Sequence, residues 1–191
     1  ATITVYMGTL EKTLTVGASV NEKYAEEIAQ EELEEQIATN TQTLNEYATQ
    51  IKGGAENDAI DQLLAEYNEK IANAATKEEA NSLLAEGKGK MDAVLTQAKT
   101  DAKNELKELA NYPTGASDEM KAIYESFEGQ INSATTLKDV ETIKQNAETA
   151  INLQIAKEEA VEELEQIKNM KPAPSQAILD KIAEAEGDIE G

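Results

Sequence analysis

A chain of 191 residues is long enough for one ordinary domain or two to three small modules, and its 17 basic residues, all Lys, stand against 38 Asp and Glu for a net charge of −21. That balance excludes nucleic-acid binding through a basic surface. The absence of His, Cys, Trp and Arg removes the usual zinc, haem and copper ligands, every His- or Cys-dependent nucleophilic mechanism, and guanidinium recognition of phosphate.

The segment 1–19 reads as a β-hairpin. Ile3, Val5 and Met7 alternate with Thr2, Thr4 and Tyr6, and Leu10, Leu14 and Val16 alternate with Glu11, Thr13 and Thr15. Gly8-Thr9 between the two runs fits a two-residue type II′ turn. One face, made of Ile3, Val5, Met7, Leu14 and Val16, is apolar enough to need cover. A lone two-stranded ribbon is marginal in water and leaves both edges unpaired. These five residues are therefore the expected assembly or anchoring surface, through self-association or a protein partner.

From Ser19 the spacing becomes helical. Ser19 and Glu22 read as a capping box. The helix they open runs to Gly53-Gly54 on a stripe of Tyr24, Ile28, Leu33, Ile37, Leu44, Tyr47 and Ile51. The stripe slips between Ile28 and Leu33 and is diluted at Asn40-Thr41, which predicts a poorly packed or kinked middle. Regular apolar spacing throughout argues against a disordered acidic chain.

Beyond that helix the chain repeats itself. Loops at 52–55, 111–115 and 171–174 each precede a short amphipathic helix, carrying Ile60, Leu63, Leu64, Tyr67 and Ile71, then Met120, Ile123, Tyr124, Phe127 and Ile131, then Ile178, Leu179, Ile182 and Ile189. The corners that follow Ile71 and Ile131 match at a spacing of 60, and Ala98, Ala102, Leu106 and Leu109 match Ala156, Ala160, Leu164 and Ile167 at 58. Thr76 with Glu79, and Thr136 with Asp139, read as N-caps of two long helices. Each is expected to run ~35 residues, about 50 Å at 1.5 Å per residue. The alternative is a break at Gly87-Lys88-Gly89 or near Gln154.

The expected fold class is therefore mainly α: tandem three-helix bundles sharing long continuous helices, preceded by the short hairpin. The expected segments are 1–19 for the hairpin, 20–95 and 96–153 for two modules, and 154–191 for the start of a third. Shared helices imply an elongated molecule. The last helix has no third helix to close its bundle, so Ile178, Ile182 and Ile189 are a candidate partner face. The chain is expected either to continue past Gly191 or to dock that face on a partner.

The corner residues resemble the three-helix modules of Gram-positive cell-wall proteins, notably the albumin-binding GA module and related adhesin repeats. The matching residues are Ala98, Lys99, Ala102, Glu105 and Leu106 in a first helix, then Tyr124, Ile131 to Val140 and Ile143; the earlier copy keeps Ile71, Asn73, Ala74, Thr76, Glu78 and Leu83. The resemblance implies a bundle fold and an extracellular, cell-surface location. In the family a Lys follows the corner Ala on the ligand face. Thr135 and Ala75 stand there here, so an albumin-type ligand is not carried over.

No catalytic, metal or cofactor site is expected. The Glu26-Glu27 and Glu31 to Glu35 clusters lack the Gly turn of a calcium loop and read as a solvated helix face. The Glu78-Glu79 and Glu158-Glu159 pairs have no apolar pocket to tune them. Gly87 and Gly89 follow no strand and read as a close helix crossing or a flexible point. No run approaches the roughly 18 apolar residues of a membrane span. The functional expectation is a non-enzymatic rod or spacer at a bacterial surface. Two alternatives stay open: a subunit of a larger ordered assembly (surface layer, pilus or virion fibre), and a protein-binding module.

Overall fold

The computed structural model describes residues 2–7, 10–15, 19–170 and 174–190. The protein is mainly helical. In chain order its elements are β1 (Thr2–Met7), β2 (Leu10–Thr15), α1 (Ser19–Lys52), α2 (Asp58–Ala72), α3 (Lys77–Leu109), α4 (Asp118–Ser133), α5 (Leu137–Lys168) and α6 (Gln176–Glu190). β1 and β2 pair antiparallel, with Ile3 opposite Leu14, Val5 opposite Lys12 and Met7 opposite Leu10. The expected Gly8-Thr9 turn, Val16 and the Lys171 to Ala173 part of the third loop lie outside the described residues, as does the side chain of Ser19.

The long helices α3 and α5 run unbroken through Gly87–Gly89 and Gln154. Their starts are fixed by local chemistry. Thr76 Oγ1 accepts from Glu79 N at 3.1 Å, and Glu79 Oε2 accepts in return from Ala75 N at 2.8 Å, one residue before the position of the usual reciprocal bond. Thr136 Oγ1 accepts from Asp139 N at 3.0 Å. Asn57 and Ser117 cap α2 and α4 in the same way. α3 ends in a Schellman motif: Asn111 takes a left-handed φ of 51°, Tyr112 N bonds Lys107 O at 3.0 Å, and Asn111 N bonds Glu108 O at 3.1 Å.

The chain forms two compact units, one of residues 1–50 and 57–92, the other of residues 51–56 and 93–191. In the first, Leu44 and Ala48 of α1, Ile60, Tyr67 and Ile71 of α2, and Ala80 and Met91 of α3 are buried. Side-chain bonds tie the same three helices: Lys77 to Glu32, Tyr47 to Asp92, and Tyr67 Oη to Glu86 Oε1 at 2.7 Å. The expected poor packing of α1 holds at the slip, where Ile28 is exposed, but at Asn40 there is instead a polar knot. Asn40 is 2% exposed; its Oδ1 accepts from Gln36 Nε2 at 2.9 Å, and its Nδ2 donates to Asn81 Oδ1 at 3.0 Å. The apolar stripe is diluted there because the position is filled by a hydrogen-bonded amide, and α1 passes through it without a break.

In the second unit Ala102 and Leu106 of α3, Met120, Tyr124 and Ile131 of α4, and Val140, Ala147 and Ile151 of α5 form one cluster. α6 packs on α5, with Ile182 buried and Lys168 paired to Glu186. The core positions of the two units correspond at a spacing of 60: Ile60 and Met120, Ile71 and Ile131, Ala80 and Val140, Met91 and Ile151 are all buried. The units differ in where they put a ring. In the first, Tyr67 is inserted and Gly87 makes room for it, since a Cβ on Gly87 would lie 3.0 Å from Tyr67 Cγ. In the second, the ring moves one turn back to Tyr124, stacked on Tyr112 at 4.4 Å between centroids, while Phe127 is half-buried and Ala147 replaces the glycine.

Candidate functional site

The residues singled out by sequence fall in separate places. Ile3, Val5, Met7 and Leu14 belong to the paired strands, at the register given above. Of the candidate partner face on α6, Ile178 is exposed, Ile189 is half-buried and Ile182 is buried, so the three do not form one exposed patch. Ile178 and Ile182 stand one turn apart on the same face, and α5 covers only the later of them. Exposed apolar residues that periodicity does not single out are Leu153 and Met170, both 61% exposed. Leu153 lies on α5 and Met170 just past its end.

The carboxylates are surface groups with structural partners. Glu79 serves the cap of α3, and Glu158 accepts from Ser117 Oγ and from Gln154 Nε2. Glu26, Glu27 and Glu31 to Glu35, apart from Leu33, stand exposed along α1. Among the described residues no group of three or more carboxylates is placed to hold a metal ion, and no helix is long and apolar enough to cross a membrane. Gly87 is explained by Tyr67, whereas a Cβ on Gly89 would meet nothing within 4 Å.

Concavities in the second unit are open grooves. One of about 540 Å³ is bordered by Glu119, Gln154, Lys157, Glu158, Val161 and Ile189. Another of about 390 Å³ runs along the α4–α5 corner beside Thr135, Asp139 and Ile143. The first sets Lys157 beside Glu119 and Glu158, and the second sets the Ser133, Thr135 and Thr142 hydroxyls near Asp139.

Four tyrosines, Tyr47, Tyr67, Tyr112 and Tyr124, titrate above the ordinary phenol value, each beside a carboxylate that its hydroxyl bonds. Tyr47 is pushed up to about 12, chiefly by its hydrogen bond to Asp92 and then by partial burial. Tyr124 is pushed up to about 12 by burial first and then by the Glu128 carboxylate, whose Oε1 lies 3.4 Å from its hydroxyl. An unfolded Tyr titrates near pH ~10. A phenol whose folded pKa is raised binds its proton more tightly when folded, so its contribution is complete below pH ~10 and is lost as the pH rises toward about 12. Stability is therefore expected to fall between about pH 10 and pH 12, with tyrosinate absorbance appearing later than in the urea-unfolded chain. Tyr47→Phe and Tyr124→Phe should each flatten that fall. Coincident titration of folded and unfolded protein would contradict the Tyr47–Asp92 hydrogen bond and the burial of Tyr124.

With this geometry in view, the chain was compared with protein-family models, curated proteins and solved structures, and nothing matches it.

Proposed function

We propose that the protein is a non-enzymatic spacer or adhesive rod of tandem three-helix modules at a bacterial cell surface, with the N-terminal strands serving assembly or anchoring. The observation that carries this reading is repetition of the core itself. Ile60, Ile71, Ala80 and Met91 recur at the repeat spacing as Met120, Ile131, Val140 and Ile151, all buried, so one packing solution is used twice. An architecture that grows by repeating its core gains length or copy number rather than a unique site. The strongly acidic exposed faces keep such a chain soluble without giving it a substrate pocket. The corner resemblance to albumin-binding GA-type modules supports the extracellular setting, and Thr135 and Ala75 argue against an albumin-type ligand.

The second reading, a subunit of an ordered assembly, is favoured by the strands. Residues 19–170 and 174–190 contribute no further strand among the described residues, so the edges of β1 and β2 are offered to another chain. Deleting residues 1–17 tests both ideas. Helical circular dichroism and melting should stay nearly unchanged, while self-association or surface attachment falls. Loss of the helices on deletion would make the strands part of the bundle's own core and end the reading of a spacer on a joint.

A further inference from the structure

The loop that joins α1 to α2 does not belong with the helices it joins. Residues 51–56 fall in the second unit, whereas residues 1–50 and 57–92 form the first. Ile51, in the last turn of α1, is buried. Two residues on, the backbone of Gly53 lies against Thr136, the N-cap of α5. A Cβ on Gly53 would come within 2.6 Å of both Cβ and Oγ1 of Thr136 and within 3.0 Å of its Cγ2. Not even a methyl group fits there without displacing the cap residue.

Conformation alone does not require glycine at this place. Gly53 has a φ of 60°, and Asn111, its counterpart at the repeat spacing of 58, holds a left-handed φ of 51° with a side chain attached. Gly54 is left-handed as well, yet a Cβ there would meet nothing within 4 Å. Gly53 is therefore set apart by what it touches. The corner it touches is also distinct. Thr136 is half-buried and Leu137 beside it is buried, whereas at the first corner Lys77 takes the place of Leu137 and pairs with Glu32.

We propose that residues 51–56 act as a clasp, seated on the N-cap of α5, through which the end of α1 and the start of α5 open together. α1 belongs to the first unit except for its last two residues, which belong to the second. The clasp thus reaches the first copy of the repeat through a continuous helix and the second through a close contact. In a repeat array such neighbour terms decide whether the copies open jointly or one at a time. With the clasp in place the two copies share their stability as links of one chain do. The inference concerns helix opening alone, so it stands or falls apart from surface attachment and from the strand joint.

Hydrogen exchange resolved by residue, measured on the full chain, tests this. In the native chain the amides of 49–52 and of 140–143 should lose protection in step as urea is added. Gly53→Ala sets a methyl group against Thr136 and should speed exchange at 140–143 about tenfold or more. Gly54→Ala puts a similar left-handed strain on the loop without the contact, and should leave those amides at their native rates. Thr136→Gly removes all three atoms that a Cβ at 53 would meet, and glycine is tolerated at an N-cap. In that background Gly53→Ala should no longer speed exchange in α5. Equal effects of the two glycine substitutions on α5, an effect of Gly53→Ala that survives in the Thr136→Gly background, or loss of protection at different urea concentrations for the two sets of amides would overturn the proposal.

Discussion

Ile131→Ala is expected to lower the stability of the second unit by about 2–5 kcal/mol, the range for truncating a fully buried Ile to Ala. Ile131 is completely buried at the end of α4, in one cluster with Met120, Tyr124, Val140 and Ile151. The removed atoms lose their transfer free energy, and a cavity remains because α4 is held at both ends, by the Ser117 cap at its start and the Thr136 corner just beyond its end. Ile71 occupies the matching place in the first unit and is equally buried, so Ile71→Ala should cost a similar amount there. Urea unfolding followed by far-ultraviolet circular dichroism measures both, and the midpoint should move while the slope of each transition stays the same. A loss below about 1 kcal/mol for either would mean that the corner residue is not packed as described.

Two substitutions close together in α3 should act with opposite signs. Both Gly87 and Gly89 lie inside that helix, where a glycine costs about 1 kcal/mol relative to alanine. Gly89→Ala fills open space and is expected to stabilise by about 0.5–1 kcal/mol. Gly87→Val sets a branched side chain against the Tyr67 ring, where even a Cβ would approach Cγ to 3.0 Å and Cβ to 3.2 Å. Tyr67 has little room to withdraw, being 2% exposed and hydrogen-bonded to Glu86. Overpacking of this kind costs about 1–3 kcal/mol, and the stiff χ1 of valine in a helix adds to it. Thermal melts of the two variants and of Gly87→Val in a Tyr67→Phe background separate the ring from its hydrogen bond. If Gly87→Val melts at or above the wild-type temperature, the close approach of the ring is wrong.

The helical part of this fold is legible in the sequence because its signals are local. The caps at Thr76 and Thr136, the apolar stripes and the glycine at the end of α1 all act within one or two turns, and the helices begin and end where those residues stand. What is not legible depends on partners distant in sequence. Asn40 reads as a flaw in a stripe until Asn81, far along the chain, supplies the amide that satisfies it. Gly87 reads as a close helix crossing or a flexible point, and only the sight of Tyr67 against it decides for the close approach. Spacing alone makes the α6 face exposed as a whole, and one of its three isoleucines is buried by α5, a fact that depends on the angle at which two helices meet. The functional surface is less legible still. The exposure of Ala29 and Ile178 is visible only once the rest of the core has been assembled.

The Asn40–Asn81 bond bears on folding fidelity as well as on packing. A chain that repeats its core offers each helix several near-equivalent neighbours, and such chains are prone to pairing the wrong copies. At the spacing of the repeat, Asn81 corresponds to Glu141 and Asn40 to Ala98. If α1 were to settle against α5 instead of α3, the Asn40 amide would meet the Glu141 carboxylate, which can accept its N–H but brings an ionised group to the seam, and desolvating a charge costs more than desolvating a neutral amide. Together with Lys77–Glu32 and Tyr47–Asp92, the Asn40–Asn81 bond thus gives the α1–α3 seam a set of polar partners that α5, with Leu137, Glu141 and Asn152 at the matching places, does not repeat, and such a set works as an address that tells the first copy from the second.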